Sequence, residues 1–205
     1  MSEMTGQVGA TVRSARSSAA RRGCFAVVRV VGFCALTALA GQVWIPLPGT
    51  DVPMTLQPVA VLLTGYALAP RAAAAAMGLF ITMGALGLPL FGLRSAGLGG
   101  STGGYLIGFL VAAWLTSVLR GRGSAGFYRL LLAGAVGMFA LFVVGVWWKA
   151  VWLGGDVRLA LATGFAPFAV KAVVELLLTA GLADRFWTWR RRVAERDVVR
   201  KAELD

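Results

Sequence analysis

The 205-residue sequence contains no histidine and only two cysteines, Cys24 and Cys34. Without histidine the chain has neither a histidine-based catalytic triad nor a histidine metal site. The two cysteines would lie ten residues apart on one helix, which is too far for a disulfide within that helix. Neither a cysteine pair at zinc-site spacing nor a Walker sequence occurs. We therefore expect no metal site, no cofactor and no ATP hydrolysis by this chain.

Charged residues are scarce as well. They make up 14% of the chain, whereas soluble domains carry about a quarter, and hydrophobic residues make up 58%. This composition predicts an integral membrane protein and argues against a soluble or disordered chain. The net charge of +11 would suggest nucleic acid in a soluble protein. Here the basic residues lie mostly at the termini and in short connections, so we expect membrane lipid rather than nucleic acid around the protein.

Six apolar runs predict an all-α bundle of six transmembrane helices. The runs cover approximately residues 25–43, 55–68, 72–88, 103–118, 130–148 and 159–183. The second run is short, because a hydrocarbon core of ~30 Å needs about 20 helical residues. Either the proline-rich loop before it, residues 44–54, dips into the bundle or the helix begins inside the membrane. The membrane domain is expected to span residues 23–184.

The distribution of lysine and arginine predicts the orientation. With both termini in the cytosol, fifteen basic residues lie on the inner side and three, Arg94, Lys149 and Arg158, lie on the outer side. Residues 1–22 are then a disordered basic cytosolic tail, and residues 185–205 are a basic C-terminal cytosolic tail. The N-terminal stretch also resembles a transit peptide or a signal-peptide n-region, but the apolar run after it has span length and no clear cleavage site.

A glycine-rich connection between the third and fourth spans, residues 84–109, faces outward in this topology. Backbone of this kind at the ends of two spans suits a loop that closes over a small ligand. Nearby, Gln57 and Tyr105 would either orient a ligand or satisfy local backbone groups. Arg94 would either receive a carboxylate or be a solvated loop charge. We therefore expect a ligand pocket at the outer end of the bundle.

Lys171 lies inside the sixth span with Glu175 four residues later, so the two face the same side of the helix. A charge within a membrane span costs several kcal/mol unless it is paired or hydrated, and it usually faces a cavity. Two interpretations remain open. Either the pair merely neutralises itself in the bundle, or the lysine hydrogen-bonds a polar ligand.

Small residues form a further pattern on the first span. Cys34 and Ala38, and likewise Thr37 and Gly41, stand four residues apart and share one face of the helix. Such a face suits close contact with another span or with another subunit.

Several motifs occur together in an order that resembles one known family. They are VPMTLQ from Val52, AVLLTG from Ala60, GALGLP from Gly84, TGGYLIGF from Thr102, GVW from Gly145 and the segment Phe165–Lys171. Over about residues 25–183 the chain is similar to the BioY family. The resemblance implies a biotin-binding S component of an energy-coupling factor (ECF) transporter. Such a protein is a six-helix bundle in the bacterial plasma membrane that captures biotin from outside.

The resemblance also implies partners. A transmembrane T component and two ABC-type ATPase subunits would supply the coupling, which fits the missing Walker sequence. S components of this family usually contact the T component through an Ala-x-x-x-Ala pattern on the first span. This chain has the Cys34/Ala38 and Thr37/Gly41 pairs there instead, and we expect these pairs to form the partner contact.

The resemblance implies roles for pocket residues as well. The expected pocket residues are Gln57, Phe91, Arg94, Tyr105, Trp147 and Lys171. The glutamine and the lysine would bind the ureido ring of biotin, the aromatic residues would form apolar walls, and the arginine would bind the carboxylate. Family members commonly carry an Asp three residues before the lysine, where this chain has Phe168. The alternatives are an S component for another small vitamin and a membrane scaffold that has lost transport; an enzyme is poorly supported.

Overall fold

The computed structural model describes residues 23–91, 97–121, 123 and 125–202. The expected N-terminal tail, residues 1–22, lies outside these ranges. The strands are β1 (Trp44–Ile45) and β2 (Met54–Thr55). The helices are α1 (Gly23–Gln42), α2 (Gln57–Ala67), α3 (Pro70–Ala85), α4 (Gly103–Arg120), α5 (Phe127–Trp152), α6 (Val157–Gly164) and α7 (Ala169–Ala202).

Proline, glycine and aspartate set several of the helix boundaries. Pro58 and Pro70 lie in the first turns of α2 and α3, where the missing backbone N–H would have no helical partner. Gly121 follows α4 with a φ of +75°, a conformation that other residues disfavour. Asp156 caps α6, because its carboxylate accepts a hydrogen bond from the Leu159 N–H. These boundaries therefore follow from the local sequence.

Four helical segments in the described part of the chain are long and apolar enough to cross a membrane: Gly23–Gln42, Gly103–Arg120, Phe127–Trp152 and Val157–Arg196. With 11 and 16 residues, α2 and α3 are shorter than the roughly 20 residues that a full crossing needs. The expectation that the second span is short is confirmed. The total of six crossings stays a prediction.

The last apolar run is not one continuous helix. It consists of α6, a 3₁₀ turn (Ala166–Phe168) and α7, which continues to Ala202. Pro167 lies in the turn, and proline lacks the N–H that a continuous helix would need at this point. The single helix expected over residues 159–183 is therefore wrong in this respect. The break places Lys171 in the first turn of α7.

The proline-rich segment before α2, residues 44–54, forms a structured loop and not a helix, as its composition predicts. Its two ends pair as β1 and β2, with Trp44 opposite Thr55 and Ile45 opposite Met54. In the middle of the loop, Thr50 Oγ1 donates to the Thr163 carbonyl of α6 at 2.6 Å. The loop is therefore held against one end of the bundle.

Helix α4 packs against α2, α3 and α5. A Cβ at Gly104 would lie 2.1 Å from Trp148 Cβ, so α4 and α5 approach this closely only because glycine stands there. The fully buried side chains between the helices include Tyr66, Met77, Phe80 and Leu130.

Consecutive helices place their termini at two opposite ends of the bundle. The last turn of α2 lies beside the first turn of α5, where Tyr66 Oη donates to the Leu130 carbonyl at 3.0 Å. At the other end, Gln42 Nε2 in the last turn of α1 donates to the Pro89 carbonyl just after α3, at 3.2 Å. We call this second end the loop end, because the loop between α1 and α2 lies there. The opposite end is the arginine end, named for Arg29 and Arg120.

Candidate ligand-binding site

A cavity lies towards the loop end, among the first turns of α2, α4 and α7 and the middle of α5. Its volume is about 70 Å³, and its wall is mostly apolar and aromatic. The lining residues are Val52, Pro53, Thr55, Gln57, Pro58, Phe91, Thr102, Tyr105, Leu106, Phe109, Met138, Leu141, Phe142, Phe168, Lys171, Ala172 and Glu175. For comparison, an apolar cavity of about 150 Å³ holds benzene. A bicyclic ligand therefore requires the lining side chains to move apart.

Gln57 begins α2 and is 4% exposed at the cavity wall. Thr55 Oγ1 donates to its Oε1 at 3.3 Å, whereas its Nε2 has no hydrogen-bond partner among the described residues. A Cβ at Gly41 would lie 2.5 Å from this Nε2, so the glycine of α1 makes room for the amide. A buried donor without a partner costs about 1–3 kcal/mol. A ligand carbonyl that accepts from Nε2 would offset this cost.

Lys171 and Glu175 form an ion pair on α7, and both line the cavity. Lys171 Nζ lies 2.5 Å from Glu175 Oε1, and the two side chains are 17% and 7% exposed. The two charges neutralise each other while both side chains remain in the cavity wall. Lys171 can therefore pair with Glu175 and still face a ligand, so the two interpretations are compatible. The arrangement offers a ligand a cationic donor beside a carboxylate acceptor.

Tyr105 lies in the first turn of α4 and presents its ring to the cavity. Its Oη donates to the Gly164 carbonyl at the end of α6, at 2.8 Å. A Cβ at Gly145 would lie 2.3 Å from the ring, so the glycine of α5 lets the ring pack directly on the helix backbone. The hydroxyl has a protein partner, and Tyr105 is therefore a wall residue that also joins α4 to α6.

Phe91 and Phe168 form other parts of the apolar wall. Phe91 packs edge-on against Phe80, with ring centroids 5.4 Å apart. Phe168 is buried at the cavity, three residues before Lys171, where the resemblance implies an Asp. A ring thus stands in place of the expected carboxylate. Among the described lining residues, Glu175 is the carboxylate that remains.

A second polar cluster, which is not among the residues predicted from the sequence, lies beside the cavity. Lys149, near the end of α5, is 1% exposed and pairs with Asp51 of the loop, while Ser101 Oγ donates to the other carboxylate oxygen. Burial raises the pKa of Asp51, but the hydrogen bonds from Lys149 and Ser101 outweigh burial and hold the pKa below its ordinary value. Because Asp51 directly precedes Val52 and Pro53 of the cavity wall, the pair fixes this part of the wall.

In the sequence, Lys149 is recognisable only as a charge on the outer side. Helix α5 extends to Trp152, four residues beyond the expected end of the fifth span, and this extension makes Lys149 a helical residue that faces the bundle. One signal was available. Asp51 is the single acid of the 44–54 loop, and Lys149 is a lone cation after a long apolar run.

Trp147 does not line the described cavity. Trp147 is 65% exposed on α5, whereas Nε1 of the adjacent Trp148 donates to the Gly100 carbonyl at 2.9 Å. Arg94 lies outside the described residues. Of the expected pocket residues, the structure brings together Gln57, Phe91, Tyr105 and Lys171.

The small-residue face of α1 points into the chain. Cys34, Thr37, Ala38 and Gly41 are all buried, and Gly41 lies against the Gln57 amide. The chain's own helices cover these residues rather than leaving them open to a subunit. Contact with another span is therefore the use that the structure makes of this face, and the expected contact with a subunit stays a prediction.

The fold and the cavity together define a class of protein. Apolar helices surround a mostly apolar cavity with a few polar groups near one end of the bundle, as in membrane proteins that bind a small molecule. The fold matches the crystal structure of an S-component for biotin from an ECF-type ABC transporter with a TM-score of 0.71. This match covers 81% of the chain and 92% of the solved chain at 19% sequence identity, and it shows the fold.

The chain belongs to the BioY family, whose family model matches residues 11–192. The biotin transporter BioY of Thermotoga maritima is 32% identical over 168 residues, which cover 80% of this chain and 92% of the relative. The biotin transporter BioY of Rhodobacter capsulatus is 37% identical over 174 residues, which cover 77% and 90%. The family and the multi-pass membrane architecture expected from the motifs are confirmed, and the family is one of transporters rather than enzymes.

Proposed function

We propose that this chain captures biotin on the outer side of a bacterial plasma membrane and delivers it inward as the S component of an ECF transporter. Relatives that match most of the chain are named biotin transporters, and the solved structure of similar fold is an S-component for biotin. A T component and two ATPase subunits would energise uptake, because the chain itself has no Walker sequence.

One observation carries the proposal: Gln57, Lys171 and Glu175 converge on a cavity that is otherwise mostly apolar. The ureido group of biotin presents one carbonyl acceptor and two N–H donors. Gln57 Nε2 and Lys171 Nζ are donors for the carbonyl, and the Glu175 carboxylate is an acceptor for an N–H. In this assignment Glu175 takes over the role of the carboxylate that is missing at Phe168.

The apolar parts of biotin fit the remaining wall. The thiophane ring and the valeryl chain would lie against Phe91, Tyr105 and Phe168, whose rings face the cavity. Trp147 has no part in this assignment, because it is exposed on the outside of α5. Arg94 stays the predicted partner of the valeryl carboxylate.

The proposed orientation keeps both termini in the cytosol and the loop end outside. Arg29, Arg120 and Arg129 all hydrogen-bond carbonyls at the arginine end, which supports placing this end inside. The C-terminal part of α7, residues 185–202, would then lie in the cytosol. The exposed face of α1, which includes Val28, Val31 and Leu39, is a further candidate for contact with a T component.

A competition experiment tests the assignment of biotin. The purified chain is equilibrated with labelled biotin in detergent, and unlabelled biotin, desthiobiotin, biotin methyl ester and lipoate are added as competitors. We expect biotin and desthiobiotin to compete, because both carry the ureido group, and lipoate to fail. Biotin methyl ester lacks the free carboxylate, so its affinity relative to that of biotin measures the contribution of this group to binding. A folded, monodisperse preparation that binds no biotin, or that lipoate displaces equally well, would overturn the proposal.

A second candidate, an S component for another small vitamin, is favoured by one observation. Phe168 puts an aromatic ring where the resemblance implies a carboxylate, so the cavity has one hydrogen-bonding group fewer for a ureido ring. In the same competition format, Phe168→Asp separates the two candidates. Improved biotin binding by this variant, together with weak binding by the wild type, would favour the second candidate.

A further inference from the structure

The arginine end gathers positive charge around the C-terminus of α2. Arg29 donates to the Ala67 carbonyl, and Arg120 Nη2 lies 3.4 Å from the next carbonyl, that of Leu68. Arg129 Nε donates to the Leu119 carbonyl at 3.2 Å, which brings a third guanidinium to the end of α4. Carbonyls at helix C-termini carry only partial negative charge, so these contacts do not neutralise the cluster.

No carboxylate forms an ion pair with these arginines within the described part of the chain. The two ion pairs found there are Lys149 with Asp51 and Lys171 with Glu175, and both lie towards the loop end. Arg120 is 6% exposed, and its Nε has no hydrogen-bond partner among the described residues. A buried guanidinium with an unused donor is costly unless an anion approaches it.

A second, larger cavity adjoins the cluster. Its volume is about 380 Å³, and it lies among α1, α2 and α7. Its lining is almost entirely apolar and includes Phe33, Leu36, Leu63, Tyr66, Leu182 and Trp187. We call it the α1–α7 groove. Tyr66 Oη, its one hydroxyl, already donates to the Leu130 carbonyl.

Trp187 lies between the α1–α7 groove and the arginine side chains. Arg120 Cζ lies 5.1 Å from the centroid of the Trp187 ring, and Arg190 Cζ lies 5.7 Å from it. Since Trp187 also lines the groove, the apolar space ends directly at these two guanidinium groups. The groove is therefore apolar along its length and cationic at its mouth.

We propose that the α1–α7 groove binds an anionic phospholipid, with an acyl chain between α1 and α7 and the phosphate at Arg29, Arg120 and Arg190. A phospholipid provides both an apolar chain for the groove and an anionic phosphate for the guanidinium groups. An entirely apolar helix of a partner subunit would fill the groove but leave the guanidinium charge uncompensated. Free phosphate would pair with the charge but leave the groove unfilled. The proposal does not depend on biotin being the transported ligand.

Native mass spectrometry of the full chain tests this site. The protein is released from detergent with added phosphatidylglycerol or phosphatidylcholine, and the bound lipid is counted. We expect phosphatidylglycerol to bind at least tenfold more tightly than phosphatidylcholine. Arg190→Gln should remove most of this preference, whereas Arg191→Gln should keep it, because the two variants lose the same charge and the exposed Arg191 makes no ring contact in the described structure. Arg190 is chosen because it is exposed and lies inside α7 rather than at a helix end, so we expect Arg190→Gln to fold normally.

A second readout locates the acyl chain. Phosphatidylglycerol with brominated acyl chains should quench tryptophan fluorescence in the wild type and quench it less in Trp187→Phe. Equal affinity for the two lipids, equal loss in Arg190→Gln and Arg191→Gln, or quenching unchanged in Trp187→Phe would each overturn the proposal. Displacement of the lipid by inorganic phosphate would show a simple anion site instead. Displacement by a copurifying protein helix would assign the groove to a subunit contact.

Discussion

Lys149 and Asp51, 98 positions apart in the sequence, form an ion pair that joins the end of α5 to the loop between α1 and α2. The lysine is buried and the aspartate is half-exposed, so the pair anchors a loop from inside the bundle. Because Val52 and Pro53 follow the aspartate and line the cavity, the anchor determines where this part of the wall stands.

Replacing Asp51 should therefore lower stability and weaken ligand binding together. Asp51→Asn leaves the buried Lys149 without its counter-charge, and we expect a loss of roughly 1–3 kcal/mol, less than for a fully buried pair because Asp51 is half-exposed. Thermal unfolding of the purified protein measures the loss. The control is Glu195→Gln, which removes an exposed carboxylate of α7. An unfolding midpoint for Asp51→Asn equal to that of the control would contradict the anchoring role.

The same pair predicts a dependence of stability on pH. The pKa of Asp51 is lower in the folded protein than its ordinary value, so its contribution to stability is fully present above about pH 4. That contribution is lost as the pH falls through the lowered pKa of the folded state. The difference in unfolding midpoint between wild type and Asp51→Asn should therefore be constant from pH 7 to about pH 5 and shrink below about pH 4. A difference that grows on acidification would contradict this sign.

Gly104 should tolerate no side chain. A Cβ there would meet Trp148 Cβ at 2.1 Å and the Val144 carbonyl at 2.9 Å, so Gly104→Ala forces α4 and α5 apart. Overpacking of this kind typically costs about 1–3 kcal/mol, and rigid obstacles favour the upper end of that range. Gly181→Ala is the control, because nothing lies within 4 Å of a Cβ at that position of α7. We expect a lower unfolding midpoint for Gly104→Ala and not for Gly181→Ala.

Gln57→Leu should separate binding from stability. The substitution removes a donor that is buried without a partner, so the unfolding midpoint should be equal to that of the wild type or slightly higher. Affinity for biotin should fall by about fivefold, since a neutral hydrogen bond contributes about 1 kcal/mol. Gln42→Leu is the matched control, because the Gln42 amide bonds only to the Ala38 and Pro89 carbonyls in the described structure. Equal affinities for the two variants would remove Gln57 from the site.

The helices and the general position of the pocket could be predicted because both depend on local sequence. Apolar runs mark most of the spans, and the glycine and proline motifs mark their ends. The direction of individual side chains could not be predicted, because it depends on where each helix ends. Helix α5 continues past residue 148, and consecutive residues on a helix differ by about 100°. Trp147 therefore faces outward while Lys149 faces the bundle.

Two other differences have similar causes. Pro167 marks a break in the last span, but an apolar run on both sides hides it from a hydropathy pattern. The small-residue face of α1 packs against the chain itself, and spacing alone does not distinguish an internal contact from one with a subunit. The arginine end depends on α1, α2, α4 and α5 meeting, and no local sequence pattern predicts this.

The most direct test of the proposed function is a biotin binding isotherm for the wild type, Lys171→Met and Arg158→Met. The wild type should saturate at one biotin per chain. Lys171→Met should bind at least tenfold more weakly, because a hydrogen bond to a charged donor contributes about 1.5–3 kcal/mol, and Arg158→Met, which removes an exposed cation of α6, should bind normally. No binding by folded wild type, or unchanged affinity in Lys171→Met, would contradict the account.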